Sequence, residues 1–178
     1  PSHTYDNTKI PIRGRYTAID RMRKGQPVFI HGDGTSLWTL THHKDFAKGF
    51  VGLLGNSRAV GESFHITSDE LLSWNQIHVL MAEAAGCQCR AVYVPSTLIS
   101  EFDPEMGAGI LGDKAHSLVF DNSKIKRFVP DFEATIPFAD GARKIMEWYD
   151  SDPARRVVDD SFNQLTERLI QAMSAASP

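Results

Sequence analysis

The chain has little cysteine, no long apolar run and no excess of basic charge, and each shortage excludes a class of protein. Its two cysteines, Cys87 and Cys89, lie too close in sequence for an unstrained disulfide. A secreted disulfide scaffold is therefore excluded, and we expect two free thiols in a reducing cytoplasm. No run of about 18 apolar residues occurs, so no membrane-spanning helix and no membrane partner are expected.

The charge balance is slightly acidic. Lys and Arg total 19 against 22 Asp and Glu, a net charge of −3 over 178 residues. Proteins that act on nucleic acids are usually basic, so this balance disfavours a nucleic-acid partner. One basic cluster lies within residues 13–24. It is either a solvated helix face or a patch that faces an anion.

Short strand patterns alternate with helical patterns, which predicts an α/β or α+β protein. The clearest helix signal is a capping box, in which Ser73 and Gln76 precede an apolar stripe that stops at Gly86. Strands are predicted at 28–30, 37–41, 63–67, 91–94 and 118–120. Further helices are predicted at 16–24, 45–54, 96–102, 135–150 and 160–173, and residues 105–117 form a glycine-rich segment.

Two of the predicted helices have apolar sides whose packing partners the sequence does not identify. The helix over 45–54 is expected to turn four apolar side chains inward: Phe46, Phe50, Val51 and Leu54. The helix over 160–173 carries an apolar stripe that packs on the core or offers a surface for a homo-oligomer.

Two motifs match cofactor or catalytic signatures in letters but lack the structural context. Residues 107–112 match G-x-G-x-x-G, which holds a pyrophosphate only where a strand leads into a helix. Residues 102–105 are not a buried strand, so a flexible loop is expected instead. Tyr5 and Lys9 match Y-x-x-x-K, which brings the two side chains together only on a helix. The intervening Asp6-Asn7-Thr8 predicts a turn, and hence no catalytic pair.

The histidines do not form a metal-ligand pattern. His42 and His43 are adjacent, so on a strand they point to opposite faces. No H-x-x-x-H or similar spacing occurs among the other histidines. We therefore expect no metal site, and Asp45 is expected to cap its helix.

Five short segments follow the order and spacing of motifs in a known family. Pro1–Tyr5 resembles the end of an R-P-S-N-x-Y-G turn, and His31–Ala47 resembles a G-x-G … V-x-D-x-A stretch. Phe64–Thr67, Asp121–Lys124 and Gly141–Tyr149 resemble a y-N-i-g strand, a D-x-S-K element and a closing helix that ends in W-y. Together they resemble the extended short-chain dehydrogenases, the NAD-dependent epimerase/dehydratase family, over residues 1–150.

This resemblance implies an α/β fold: the C-terminal substrate-binding part of an extended short-chain dehydrogenase, with an incomplete Rossmann domain. Residues 1–150 would be the substrate-binding region and residues 151–178 a helical extension. The glycine fingerprint and the catalytic Tyr and Lys would precede Pro1, so no catalytic residue is expected here and the isolated chain should be inactive. The full-length protein would use NAD or NADP to move a hydride to or from a carbinol or carbonyl carbon of a small-molecule substrate. The missing N-terminal Rossmann half would be a partner.

The resemblance also implies site residues. Ser2 would approach the nicotinamide end of the cofactor, and His3, Trp38 and Leu40 would line the substrate cleft. Trp38 stands where sugar-nucleotide enzymes of the family carry an arginine that clamps a diphosphate. Tryptophan offers one N–H donor and an apolar face instead, so Trp38 either packs in the core or lines the cleft. Atypical members resemble chloroplast stem-loop RNA-binding proteins, so a non-catalytic nucleotide- or RNA-binding relative is the alternative.

Overall fold

A computed structural model describes residues 3–175, and the strands within this range form three two-stranded sheets. Two of the pairs are parallel and one is antiparallel. β1 (His3–Tyr5) pairs in parallel with β4 (Leu40–His42), β2 (Val28–His31) in parallel with β6 (Ala91–Val94), and β3 (Leu37–Trp38) antiparallel with β5 (Leu72–Ser73).

Helices separate and cover these strands, which confirms the predicted alternation of strands and helices. They are α1 (Tyr16–Arg23), α2 (His43–Leu53), α3 (Trp74–Ala84), α4 (Ser96–Phe102), α5 (Pro104–Gly109), α6 (Ser123–Phe128), α7 (Phe138–Asp150) and α8 (Asp160–Ala175). A π-helical turn (Ile110–Lys114) follows α5, and 3-10 turns lie at Ser57–Ala59 and Pro153–Arg155. No helix of the described range is both long and apolar enough to cross a bilayer.

The largest apolar core lies between α1, α3, α7 and the β2–β6 pair. Ile19, Ile77, Met81 and Ile145 are completely buried there. Each such side chain contributes roughly 1.5–3 kcal/mol through burial. A second core lies under α4 and α8 around Phe29, and a third, smaller core joins Ile66, Ile125 and Phe132.

Helix α3 forms as its local sequence predicts. The Ser73 hydroxyl accepts from the Gln76 backbone N–H, and the Gln76 side chain accepts from the Ser73 backbone N–H. This confirms the capping box, which satisfies two groups that a helix start would otherwise leave unpaired. Gly86 follows the helix with φ +70°, a conformation that favours glycine.

The predicted inward face of α2 is confirmed for Phe46, which packs on the third core, and is wrong for the other three residues. Phe50, Val51 and Leu54 are 51%, 61% and 64% exposed. The helix instead packs through its glycines, because a Cβ on Gly49 would lie 2.6 Å from Ile66 Cγ2 and one on Gly52 would lie 2.4 Å from a Val129 methyl. Such a close approach requires small residues at these two positions, and Phe50 and Val51 lie on the exposed side of the helix.

Several other boundaries also differ from prediction. Residues 63–67 and 118–120 have no regular secondary structure, and the strand predicted at 37–41 is interrupted at Thr39. The predicted flexible loop at 107–112 is wrong, because α5 and the π-helical turn occupy it. Tertiary hydrogen bonds replace the missing ladder, such as Leu118 N–H donating to the Leu37 carbonyl over 3.0 Å.

The apolar stripe of α8 packs inside the chain. Leu169 is fully buried, and the ring of Phe162 lies 5.7 Å from that of Phe29. Phe162, Leu165 and Met173 all contact the core under α4. The surface that the sequence offered to a homo-oligomer is therefore largely used to hold α8 on the body.

Candidate functional site

The predicted cleft residues His3 and Trp38 meet, although they lie on different sheets. The Trp38 indole Nε1 donates a hydrogen bond to His3 Nδ1 over 3.3 Å. Trp38 is buried and its ring packs against that of Trp74 at 5.4 Å. Leu40 is opposite His3 in the β1–β4 register and lies in the core. Ser2, predicted at the cofactor, lies outside the described residues.

A cavity of about 260 Å³ opens beside His3. Its lining comes from His3, the segment 9–15, residues 29–31 of β2, Trp74 and His78 of α3, and Lys114. Of the described cleft residues, His3 therefore lines the cavity directly, whereas Trp38 and Leu40 are core residues.

The charges of the cavity have one sign. Lys9, Arg13, Arg15 and Lys114 line it, and no carboxylate belongs to its described lining. Burial lowers the pKa of Arg13, an effect that the nearby carboxylates of Asp103 and Asp113 oppose. Arg13 and Lys114 are partly buried, which weakens the screening of their charges by water, so an anion in the cavity would interact with them more strongly than at an exposed surface.

Two hydrogen-bond donors of the lining lack partners. Arg13 Nε and Trp74 Nε1 are buried, and neither has an acceptor among the described residues. Trp74 as a whole is only 2% exposed. An unpaired buried donor costs about 1–3 kcal/mol, so both groups would gain from a ligand that accepts hydrogen bonds.

Three histidines of the lining are held neutral. Burial lowers the pKa of His3 and of His78 to about 4 and also lowers that of His31. The carbonyl partners assign two tautomers, because a carbonyl only accepts. His31 Nε2 donates to the Lys114 carbonyl over 3.0 Å, and His78 Nδ1 donates to the Trp74 carbonyl over 2.7 Å. The opposite ring nitrogens of His31 and His78 are therefore acceptors.

The glycine motif and the Y-x-x-x-K match form no site. A Cβ on Gly107 would lie 2.3 Å from the Ser100 Cα, so this glycine serves the packing of α5 on α4. Tyr5 lies in the core on β1, where burial raises the pKa of its phenol, and Lys9 lies beyond a turn. Neither motif has the strand–loop–helix or helical context that its chemistry needs.

The acidic residue of α2 has a different role from the predicted one. The helix begins at His43, and the cap is His42, whose Nδ1 accepts from the Lys44 N–H. Asp45 accepts from Lys48 Nζ at 2.7 Å and from the Ile136 N–H at 2.9 Å. The prediction that Asp45 caps the helix is therefore wrong, and Asp45 fixes the segment before α7.

The described residues contain no cluster of three His, Cys, Asp or Glu that could hold a metal ion.

The basic cluster at 13–24 divides into two groups. Arg13 and Arg15 line the cavity. Arg21 is buried against α8, Arg23 pairs with Asp150, and Lys24 pairs with Asp20. Only the first group fits an anion-facing patch. The sequence offered this patch as an alternative but gave no signal that joined it to Lys114 or to the histidines.

The amino-acid sequence was compared with protein families and with individual known proteins. No family model matches the chain. It is 28% identical over 109 residues to 2'-dehydrokanamycin reductase of Streptomyces kanamyceticus, which covers 61% of the chain and 31% of that protein. It is 30% identical over 66 residues to the chloroplast stem-loop binding protein of 41 kDa b of Arabidopsis thaliana, 37% of the chain and 18% of that protein.

Solved structures match over more of the chain. UDP-glucuronic acid 4-epimerase from Bacillus cereus, with UDP-glucuronic acid and NAD, matches at TM-score 0.64 and 20% identity over 84% of this chain and 43% of that one. The dTDP-glucose 4,6-dehydratase of Streptomyces venezuelae, with NAD and TYD bound, matches at 0.62 and 21%, over 86% and 43%. The chain thus spans less than half the length of these relatives. It shares its fold with part of these epimerase and dehydratase structures, in agreement with the resemblance.

Proposed function

We propose that the chain is the substrate-binding portion of an NAD(P)-dependent epimerase/dehydratase-like oxidoreductase. Residues 1–150 form the binding region, and residues 151–178 follow as a helical extension. The whole protein would transfer a hydride between NAD or NADP and a carbinol or carbonyl carbon of a small molecule. The catalytic Tyr and Lys would lie outside this chain, so the chain alone is expected to be inactive.

The observation that carries this proposal is the convergence of positive charge and unpartnered donors in one cavity. Lys9, Arg13 and Arg15 supply charge, Lys114 shares its charge with Asp113 at 2.9 Å, and Arg13 Nε and Trp74 Nε1 are donors without acceptors. A phosphate or carboxylate accepts such hydrogen bonds, and a guanidinium can bind it through two parallel bonds. We infer that the substrate presents an anionic group to this cavity.

The relatives support a small-molecule substrate and a nicotinamide cofactor. One is named a reductase, and the two solved structures contain NAD with UDP-glucuronic acid or TYD. The glycine motif at 107–112 does not fit a pyrophosphate, since helix packing uses Gly107. The cofactor would therefore bind mainly to a part of the protein outside this chain, with Ser2 as its nearest residue here.

A non-catalytic nucleotide- or RNA-binding role is the second candidate, because one relative is a stem-loop binding protein. Its structural support is weaker. Intramolecular pairing with Asp150 and Asp20 reduces the charge that Arg23 and Lys24 could offer to a phosphate backbone. Stem-loop RNA binding that weakens steeply with salt would favour this candidate.

Calorimetric titration of the chain with uridine diphosphate tests the anionic site. We expect saturable binding, with uridine as the uncharged comparison ligand. Arg13→Met should weaken binding about tenfold or more, the effect of losing a charge-assisted contact. Arg58→Met is the matched control, since Arg58 is exposed and does not line the cavity. Absence of saturable binding, or an affinity of the Arg13 variant equal to that of the wild type, would contradict the anionic site. In a separate assay, NAD-dependent turnover by the chain alone would contradict its predicted inactivity.

A further inference from the structure

Trp38 does not line the cavity, yet it contacts two residues that do. Its Nε1 lies 3.3 Å from His3 Nδ1, and the Lys114 ammonium lies 5.1 Å from the centroid of its ring. The first contact is a hydrogen bond and the second is within range of a cation–π interaction. Trp38 therefore links a neutral and a cationic residue of the same cavity.

The hydrogen bond determines which nitrogen of His3 carries the proton. An indole N–H only donates, so His3 Nδ1 must present its lone pair to Trp38. A neutral imidazole has one N–H, which is then on Nε2. The opposite tautomer would direct two N–H groups at each other and break the contact.

The ring of His3 stays neutral over the ordinary pH range. Burial is the main cause of its pKa of about 4, and the positive charges of Lys9, Lys114 and Arg13 add to the effect, while Asp113 opposes it. His3 consequently contributes a directed N–H donor without contributing charge. His31 and His78, held by carbonyls, leave acceptors at their opposite nitrogens.

Trp38 is itself held firmly enough to orient a neighbour. It is 6% exposed, pairs with Leu72 across the β3–β5 ladder and packs on the ring of Trp74. Few rotamers are open to a buried indole in such surroundings. The direction of its N–H, and with it the orientation of the His3 ring, is set by the core.

We propose that Trp38 is a positioning residue that holds His3 in the Nε2–H tautomer, so that His3 presents a neutral hydrogen-bond donor to the ligand of the cavity. The role of that donor in binding rests on the proposed function. The tautomer of His3 and its hydrogen bond to Trp38 are independent of the proposed function, and both can be measured without any ligand.

The first experiment is long-range ¹H–¹⁵N NMR of the histidine side chains in the unliganded chain at pH 7. His3→Gln assigns the His3 signals by their loss. We expect the His3 proton on Nε2, and a hydrogen-bond coupling between Trp38 Nε1 and His3 Nδ1. A proton on His3 Nδ1, or an indole signal of Trp38 that His3→Gln leaves unmoved, overturns the proposal whether or not uridine diphosphate binds.

The second experiment measures the coupling between the two residues in binding. Trp38→Phe keeps an aromatic ring for Lys114 and removes the donor together with part of the indole volume, and Trp148→Phe makes the same change at a tryptophan outside the cavity lining. Trp38→Phe should weaken binding of uridine diphosphate about threefold to tenfold, the worth of one net hydrogen bond. In the His3→Gln background it should have no further effect, because Trp38 acts through His3. Equal losses in both backgrounds overturn the proposal, and failure of the wild-type chain to bind at all overturns the proposed function instead.

Discussion

The guanidinium of Arg21, on α1 and 1% exposed, lies 2.6 Å from the carboxylate of Glu167 on α8. It also donates to the Asn163 side chain and, over 2.9 Å, to the Pro27 carbonyl. A buried cation with three acceptors thus ties the last helix to the body of the protein. The apolar stripe of α8 supplies the packing, and Arg21 fixes its position.

Replacing Arg21 should therefore destabilise the chain more than replacing its partner does. Arg21→Ala removes all three hydrogen bonds and should lower the free energy of unfolding by about 2–3 kcal/mol. Glu167→Gln should cost less than about 1 kcal/mol, because Glu167 is half-exposed and water replaces the lost attraction. Urea unfolding followed by circular dichroism measures both. Equal losses for the two variants would show that the ion pair, rather than the buried guanidinium, holds α8.

The contact between Tyr5 and Gly141 predicts a second stability effect. A Cβ on Gly141 would lie 2.0 Å from Tyr5 Oη, so Gly141→Ala should destabilise the protein by about 1–3 kcal/mol despite the better helix propensity of alanine. Tyr5→Phe should be close to neutral, since the buried hydroxyl has no hydrogen-bond partner among the described residues. The double variant should recover part of the loss in thermal unfolding. Strict additivity of the two substitutions would refute the proposed clash.

Local signals explain which parts of the fold could be predicted from the sequence. Ser73, Gln76 and Gly86 define α3 through neighbours in the chain, and the structure confirms them. The inward face of α2 could not be predicted, because Gly49 contacts Ile66, a residue outside the helix. A hydrophobic pattern favours burying large side chains, whereas side chains such as that of Ile66, packed closely on the helix backbone, favour burying glycine.

Of the residues that line the cavity, the sequence resemblance identified only His3 as a site residue. His3 lies in a segment that resembles a turn motif of the family, and the structure places it on β1 at the cavity. Arg13, His31, His78 and Lys114 come from distant parts of the sequence and share no spacing, so only the tertiary fold brings them together. The unpaired N–H of Trp74 likewise has no signature in the sequence.

The buried histidine of α3 should make stability depend on pH. Burial lowers the pKa of His78 to about 4, below the value of 6.5 in an unfolded chain. As the pH falls through 6.5 the unfolded chain takes up a proton that the folded chain does not, so this stabilisation is complete above pH 6.5 and is lost as the pH approaches 4. At pH 5 the loss attributable to His78 is about 2 kcal/mol.

Urea unfolding at pH 7 and pH 5 measures this dependence. His78→Gln should reduce the difference in unfolding free energy between the two pH values by about 2 kcal/mol. His116→Gln, at an exposed position, is the matched control and should leave the difference as it is in the wild type. An unchanged difference in the His78 variant would show that this ring does not stay neutral in the fold.

Gly107 of the G-x-G-x-x-G match should behave as a packing residue rather than as part of a phosphate loop. A Cβ on Gly107 would meet the Cα of Ser100 at 2.3 Å, and a backbone atom cannot swing aside as a side-chain tip can. Gly107→Ala should therefore separate α5 from α4 and cost about 2 kcal/mol or more.

Gly112 is the control within the same motif. A Cβ there would meet nothing within 4 Å, and its φ lies outside the left-handed region, so Gly112→Ala should be neutral or stabilise by up to about 1 kcal/mol. Thermal unfolding of the two variants separates the explanations. A phosphate loop needs its glycines for close approach of the backbone to an anion, so alanine at either position would affect anion binding more than stability. Equal unfolding temperatures for the two variants would contradict the packing role of Gly107, whereas a large loss confined to Gly107→Ala would show that the match in letters reflects helix packing.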